Sequence, residues 1–409
     1  MTTILLIGTF DTKDDELRYL ARVIEGQGGQ VLTMDVSVLG DPTAPCDVSK
    51  HDVAAAAGSD IAAVAAAGDE NHAMQIMAQG AAATSASLHA EGRIDGMIGL
   101  GGTMGTDLLL DVALALPLGV PKYVVSTVAF SPLIPAERLA PDIQMILWAG
   151  GLYGLNDICK AALSQAAGAV LGSARAAERP TGTRPLIGMT SFGKTVLRYM
   201  VALKPALEER GFDVAVFHAT GMGGRAFEGL AAQGAFAAVM DFAPQEVGNH
   251  LMGSALSAGP SRMEAAGARG IPQLIAPGCY DLIDFVGWQD TPPKLAGQEV
   301  HAHNRLLSSV LLNADQRREM ARTLCAKMAK ATGPVTFLLP AQGGNEWDRA
   351  GGPLSDPAAL AAFCAEMRAS CPENVRLVEL DAHINDAAFT DAALAQFDAW
   401  LADGTVARA

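Results

Sequence analysis

The stretch Ile98-Gly99-Leu100-Gly101-Gly102-Thr103-Met104-Gly105-Thr106-Asp107 concentrates backbone amides and hydroxyls with almost no side-chain bulk. Ile94, Met97 and Ile98 lead into it as a short buried strand, and Leu108 to Leu116 follow it as a helix. A turn this bare lets a phosphate reach the amides at a helix N-terminus, where the dipole favours negative charge. Thr103 and Thr106 add hydroxyls for the phosphate, or one of them a metal contact. The spacing is not the dinucleotide fingerprint, because the glycine after Gly99 and Gly101, Gly105, comes one position late. No lysine follows, so it is not a Walker A loop either. The competing reading is a turn that only packs a helix against a sheet.

A second group stands near the start of the chain. The apolar run Ile4 to Ile7 ends at Gly8, and Thr9-Phe10-Asp11-Thr12-Lys13-Asp14-Asp15-Glu16 follows. Leu17, Leu20, Ala21, Val23 and Ile24 then recur at helical spacing, Gly26 to Gly29 stop the helix, and Val31 to Val36 form the next strand. In a doubly wound sheet the first turn faces the same crevice as the Gly-rich stretch. Lys13 then suits a phosphate, and Asp11 or Glu16 a metal ion. Asp14 and Asp15 read as helix-start charges, an alternative that stays open for Asp11, Lys13 and Glu16.

The second half repeats the pattern. Leu186-Ile187-Gly188-Met189-Thr190-Ser191-Phe192 echoes Leu5 to Phe10, and Leu197 to Met200 echoes Leu17 to Leu20. Gly188 to Thr195 is a literal Walker A string, with Ala237 to Asp241 as a Walker B partner, yet Phe192 is bulky for a loop that wraps phosphate. Val214 to His218 reads as a strand, and Gly221-Met222-Gly223-Gly224-Arg225 as a second Gly-rich turn before a helix. Arg225 suits a carboxylate or phosphate, and His218 and Glu228 are acid–base candidates. Asp281, Asp284, His301, His303, Asn304, Arg305 and His383 follow. His301 and His303 share a face if extended, so a metal site with Asp281, Asp284 or His383 competes with hydrogen-bonded loop anchors.

These groups need elements to position them. Residues 50 to 92 are Ala-rich and read as two helices; Pro121 to Thr127 and Ile143 to Trp148 read as strands, and Asn156 to Ala169 as a helix. Residues 174 to 185 look like a linker. The chain has 409 residues, half of them apolar and only 5% aromatic, enough for two or three domains. Its net charge of -15 disfavours nucleic acid and anionic lipid as broad partners. The six cysteines show no C-x-x-C spacing and suit free thiols in a reducing cytoplasm. Neither a signal peptide nor a long apolar run is present. The expected fold is α/β, with two doubly wound, mostly parallel-sheet, Rossmann-like domains, 1–178 and 179–409, and a ligand crevice between them.

Gly8 to Lys13, Gly101 to Thr106, Gly119 to Thr127, Phe217 to Arg225, Ser257 to Arg262, His303 to Arg305 and His383 to Asp386 occur in order along nearly the whole chain. Together they resemble the ATP-binding family of the tomato mosaic virus resistance protein and its bacterial relatives. The resemblance implies two α/β subdomains, ATP with Mg²⁺ in the first, and a homodimer. Gly8, Thr9, Asp11, Thr12, Lys13, Gly101, Gly102, Thr103, Gly105, Thr106, Ser126 and Thr127 are the expected nucleotide contacts, with Asp11 and Glu16 for the metal. Val128 to Pro135 is apolar here where the family is usually small and Gly-rich. Some relatives carry a barrel resembling phosphoenolpyruvate-utilising enzymes; here such a barrel would be a separate partner chain.

The expected function is a cytoplasmic, ATP-dependent enzyme acting on a small, carboxylate-bearing metabolite by phosphoryl transfer or carboxylate activation. Arg225, Glu228, Asp281, Asp284, His303 and Arg305 would line the substrate side. The alternatives are a nucleotide-gated binding protein without turnover, and a metal-dependent hydrolase or lyase at the His-containing second half.

Overall fold

The computed structural model describes residues 1–178 and 183–408, with Val196 and Leu197 described by their backbone only. The chain divides into two compact units, 1–180 and 181–409. The boundary expected at 178/179 meets residues 179–182, which lie outside the described residues.

Strands of the first unit are β1 Thr3–Gly8, β2 Gln30–Asp35, β3 Gly96–Gly101, β4 Lys122–Ser126 and β5 Ile143–Leu147. Its helices are α1 Asp14–Gly26, α2 Lys50–Ala56, α3 Ile61–Ala65, α4 Glu70–Ala90, α5 Thr103–Ala115 and α6 Asp157–Ala176. The stretch expected to form two helices over 50–92 forms three, because Gly58 and Gly68 take positive φ and Asp60 and Asp69 cap new starts. Helix α6 likewise runs into the expected linker and ends at Ala176.

All the strands pair in parallel, in the order β2-β1-β3-β4-β5. They read as near-continuous apolar runs because both faces are covered. On one face Leu17, Leu20 and Ile24 of α1 pack with Leu163, Ala167 and Leu171 of α6. On the other, Val53, Met77, Leu88, Leu109 and Val112 come from α2, α4 and α5. A Cβ at Gly80 of α4 would lie 1.9 Å from the Val53 carbonyl oxygen, so only glycine permits this helix crossing. The change of face between α1 and α4 makes the gap between β1 and β3 the topological switch point, the usual ligand edge of such sheets.

The second unit contains β6 Leu186–Ser191, β7 Asp213–His218, β8 Ala238–Asp241, β9 Gln273–Ile275, β10 Leu282–Val286, β11 Val300–Ala302, β12 Leu307–Leu311, β13 Val335–Pro340 and β14 Val375–Leu380. Its helices are α7 Gly193–Glu209, α8 Met222–Ala232, α9 Gln245–Met252, α10 Ala265–Ala268, α11 Ala314–Met328, α12 Pro357–Ser370 and α13 Ala387–Ala402. The main sheet is parallel and ordered β7-β6-β8-β9-β13-β14. It repeats the first unit's order and adds a strand at the far edge, as the echo between Leu5 to Phe10 and Leu186 to Phe192 suggests. A small antiparallel sheet, β10-β12-β11, is inserted after β9. Mostly parallel sheets alternating with helices make both units Rossmann-like.

Candidate functional site

Both phosphate-loop candidates of the first unit stand where the strand order places them. Strands β1 and β3 are neighbours, with Ile7 opposite Gly99, so the turn after Gly8 and the turn after Gly101 flank the switch point. The Gly-rich stretch is tighter than a loop: Gly102 alone separates β3 from α5, and α5 begins at Thr103 rather than Leu108. Its glycines divide by role. A Cβ at Gly99 would lie 2.2 Å from Leu109, and one at Gly101 2.7 Å from the Gly105 Cα, so these two allow the close packing of α5 on β3. A Cβ at Gly102 would meet only Thr127 Oγ1 at 3.9 Å, and one at Gly105 only the Leu100 carbonyl at 3.6 Å. Packing does not demand glycine at either position. Nor does backbone strain, since Gly102 has φ -75° and Gly105 is helical. No side chain caps α5, so its first-turn amides are left to other partners.

The neighbouring hydroxyls hold the turn in place. Thr106 Oγ1 and Ser126 Oγ are 2.7 Å apart and buried, and Ser126 Oγ also accepts from the Val128 amide at 3.0 Å. Thr127 donates its amide to the Gly101 carbonyl, while Thr103 is exposed. In the first turn the Lys13 amide donates to Thr9 O at 2.9 Å, and Thr9 and Thr12 pair their hydroxyls at 3.0 Å. Asp11 Oδ2 accepts from the Gly40 amide at 3.2 Å, whereas its Oδ1 is buried with no hydrogen-bond partner. Glu16, buried, accepts from the Gly154 amide at 2.8 Å. The Lys13 ammonium sits over the ring of Tyr153, 4.9 Å from its centroid.

The second Gly-rich turn is built differently. Gly221 has φ +90° and starts α8, but a carboxylate of the protein already occupies the helix N-terminus. Glu246 Oε1 accepts from the amides of Gly221 and Gly224, the latter at 3.2 Å. Arg262, fully buried, donates from Nε to Glu246 Oε2 at 2.8 Å and from Nη1 and Nη2 to Asp241 at 2.5 and 2.7 Å. Glu228 joins the group: it lies 3.3 Å from Arg262 and accepts from the amides of Met263 and Ala265 at 2.8 and 2.9 Å. Burial pushes the Glu228 and Glu246 carboxyls up, and Arg262 opposes that shift. Burial also opposes the Arg262 charge, but Asp241, Glu246 and Glu228 outweigh it and push its pKa up. Glu228 thus anchors the start of α10 and pairs with Arg262. Glu246 does not stand out in the sequence, and Arg262 enters it only as the end of the Ser257 to Arg262 stretch, because their partners lie 16 to 34 residues away.

The Walker A string forms no separate loop between its strand and its helix. Gly188 to Ser191 belong to β6, Phe192 precedes α7 directly, and Thr195 is buried. Thr195 Oγ1 accepts from the Glu346 amide at 3.0 Å and contacts Cys279 Sγ at 3.2 Å. Asp241 of the Walker B candidate is paired with Arg262 and accepts from Thr190 Oγ1 at 2.7 Å.

The remaining second-unit candidates fall into two surroundings. Asp281 is buried beside Arg317 at 3.1 Å and accepts from Asn345 at 3.0 Å; burial raises its pKa against the pull of Arg317. His383 is buried too, with Nε2 2.8 Å from Asp348 and Nδ1 accepting from the Asn385 amide at 3.1 Å. Asp284 accepts from Gln245 at 2.9 Å and Ser309 at 2.5 Å, and burial pushes it up to about 6 against those bonds and the charges of His303 and His218. Gln245, fully buried, keeps its Oε1 without a hydrogen-bond partner. Asp284, Ser309 and His301 lie opposite one another across β10, β12 and β11, and His303 and Arg305 occupy the exposed β11–β12 turn. Arg225, half-buried, donates to the Ser257 carbonyl at 3.4 Å. Among the described residues no group of three or more His, Cys, Asp and Glu is arranged to hold a metal ion.

The strand order and these turns define a protein of two Rossmann-like α/β units in which α1 and α5 both start without a side-chain cap beside the first unit's switch point. The chain belongs to the uncharacterised protein family UPF0261, whose N-terminal domain matches residues 2–179 and whose C-terminal domain matches residues 184–401. A UPF0261 protein of Brucella melitensis is 54% identical over 405 residues, covering 99% of this chain and 97% of that protein. The ToMV resistance protein Tm-1(GCR237) of Solanum lycopersicum is 29% identical over 423 residues, covering 96% of this chain and 55% of that protein. Among solved structures, a UDP-GlcNAc 2-epimerase from Neisseria meningitidis covers 67% of this chain and 82% of its own at 10% identity, with a TM-score of 0.22. No helix among the described residues is long and apolar enough to cross a membrane.

Proposed function

We propose that the first unit binds ATP with its phosphates on the N-terminus of α5, and that the chain is an ATP-dependent enzyme of small-molecule metabolism. The observation that carries this reading is the pair Gly102 and Gly105, where a Cβ would make only ordinary contacts, 3.9 Å from Thr127 Oγ1 and 3.6 Å from the Leu100 carbonyl, so that close packing does not explain the glycines. Backbone amides in an uncapped first helical turn favour an anion beside them. Lys13, at the neighbouring turn, supplies the positive charge after leaving the Tyr153 ring. The orphan Asp11 Oδ1 fits a cation brought by the phosphates. Mg²⁺ needs only one or two protein carboxylates when phosphates and water complete its shell, and it would neutralise charge on the transferred group.

The substrate side of this proposal rests on Asp284, His303 and Arg305 in the second unit. A carboxyl poised near neutrality under the influence of the exposed His303 suits proton transfer to a metabolite, and Arg305 in the same turn would bind the metabolite's carboxylate. Calorimetric titration of the purified chain with ATP and Mg²⁺, then phosphate release with a panel of small acids, tests both halves. Absence of ATP binding overturns the reading. Tight binding without turnover moves the chain to the nucleotide-gated class.

A further inference from the structure

Asp284 stands at the middle of β10, and polar groups hold it on several sides. Its amide donates to Asn249 Oδ1 at 2.9 Å, and its carbonyl accepts from Ser254 Oγ at 2.6 Å. Its carboxylate accepts from Gln245 Nε2 at 2.9 Å and from Ser309 Oγ at 2.5 Å. Gln245 and Asp284 are 0% and 1% exposed, whereas Ser309 is half-buried. A buried carboxyl thus meets the surface through one hydroxyl.

Other buried aspartates of the second unit are kept differently. Asp241 and Asp281 face the guanidinium groups of Arg262 and Arg317, and Asp348 accepts from two backbone amides. Both oxygens of Asp284 accept from neutral side chains, so its charge is poorly compensated and burial pushes it up to about 6. A buried carboxyl without a counter-ion costs stability, and such groups gather where chemistry uses them. The arrangement that activates a serine is a hydroxyl bonded to a base, with the base oriented by a third group. Ser309, Asp284 and Gln245 have that arrangement.

We propose that Ser309 is a nucleophile toward small carboxylic esters, with Asp284 as its general base and Gln245 as the residue that positions the base. The proposal rests on the reading above only in taking Asp284 as the proton-transfer group, and it needs no nucleotide. Ser309 Oγ bonds to the acyl carbon while its proton passes to Asp284 Oδ1. The bond from the acyl carbon to the leaving alcohol breaks, and Asp284 returns the proton to that oxygen. Water then attacks the acyl-serine and gives a proton to Asp284, which hands it to Ser309 Oγ as the acid leaves. The sum is ester and water to acid and alcohol. His301 stands opposite Ser309 on the same face of the sheet, where its ring donates to the charge developing on the carbonyl oxygen.

The test treats the full chain, without ATP, with a fluorophosphonate, which phosphonylates activated serines with loss of fluoride. Peptide mass spectrometry is expected to find the wild-type adduct on Ser309. Ser309→Ala, at a half-buried site, should fold and carry no adduct. Asp284→Asn, nearly isosteric, should slow labelling about 100-fold or more. Gln245→Met should lower the maximal labelling rate and leave the half-saturating probe concentration unchanged; a wild-type rate removes Gln245 from the positioning role. Circular dichroism checks the fold of each variant. An unlabelled wild type, an adduct on another serine, or a wild-type labelling rate in Asp284→Asn overturns the proposal. If Ser309→Ala does not fold, the mapped adduct and the Asp284→Asn rate still decide. ATP binding without an adduct removes this proposal alone, whereas an adduct without ATP binding removes only the nucleotide reading.

Discussion

Glu246 accepts a hydrogen bond from the Gly221 amide and holds its carboxylate where a Cβ on Gly224 would have to stand, 1.9 Å from Oε2. The second unit thus carries its own anion at a helix N-terminus, fixed from behind by Arg262. In the first unit the N-terminus of α5 has no such occupant. The two glycine turns differ in place as well: Gly221 follows the edge strand β7, whereas Gly102 follows β3 inside its sheet.

Breaking the Glu246–Arg262 arrangement is expected to damage the fold. Arg262→Met leaves Asp241, Glu246 and Glu228 buried without their common counter-charge, at a cost of about 3–5 kcal/mol. Urea denaturation followed by circular dichroism measures it; a loss below 1 kcal/mol would mean that the carboxylates simply take up protons.

The four glycines around α5 should separate into two pairs. Gly102→Val and Gly105→Val are expected to remain folded, since a Cβ there makes only ordinary contacts, and to lose nucleotide binding, because the added methyls would stand where the phosphates are proposed to lie. Gly99→Val and Gly101→Val should instead lower stability by about 2 kcal/mol or more through overpacking against Leu109 and Gly105. Thermal melts and ATP titrations on all four variants decide the matter; normal ATP affinity in the first pair removes this turn from the site.

Two lysines follow two candidate phosphate turns, and only one should matter. Lys13→Ala is expected to weaken ATP binding about 10- to 150-fold, the value of a charge-assisted hydrogen bond. Lys194→Ala should leave it unchanged, since Lys194 is exposed at the start of a helix that directly continues a strand. The opposite ranking would return the nucleotide to the second unit.

Asp284 predicts a specific pH dependence. Its folded-state pKa of about 6 lies above the usual aspartate value, so the folded state binds the proton more tightly than the unfolded state. Stability from this group is greatest below the unfolded pKa and falls as the pH rises to about 6, by roughly 3 kcal/mol at most. Asp284→Asn should remove that slope, so its stability relative to wild type rises between pH 4 and pH 7. Parallel denaturation curves across this range would refute the assignment.

Arg305 and Arg225 should part company. Arg305 lies exposed in the β11–β12 turn, so Arg305→Met should change stability by less than about 0.5 kcal/mol and still abolish activity with an acidic substrate. Arg225→Met is expected to lose some stability as well, because Arg225 Nη2 donates to the Ser257 carbonyl. Intact activity in Arg305→Met would take the β11–β12 turn out of the substrate site.

Much of this architecture is legible in the sequence because parallel sheets write themselves as short apolar runs ending in glycine and hydroxyl residues. Leu5 to Phe10 and Leu186 to Phe192 look alike because each supplies the second strand of the same strand order. What stays hidden is pairing over distance. Nothing near Gly221 announces that Glu246 will fill its turn, and the Walker A spelling at Gly188 conceals a strand that runs straight into a helix. The role of Glu228 is hidden likewise, since an acid–base candidate and a helix anchor use the same carboxylate.

The arrangement of the first sheet bears on how the chain is made. Every strand of β2-β1-β3-β4-β5 comes from residues 3 to 147, and α6 returns to cover α1 by residue 176. At a synthesis rate of roughly 5–20 residues per second, this half can close its core on the ribosome while the second half is still being translated. The second sheet has no such head start, because β14 at Val375–Leu380 must emerge before its far edge is complete. Within this sheet the edge of β9 at Gln273–Ile275 waits longest in the newborn chain, until β13 at Val335–Pro340 is made, and there a chaperone has most to protect.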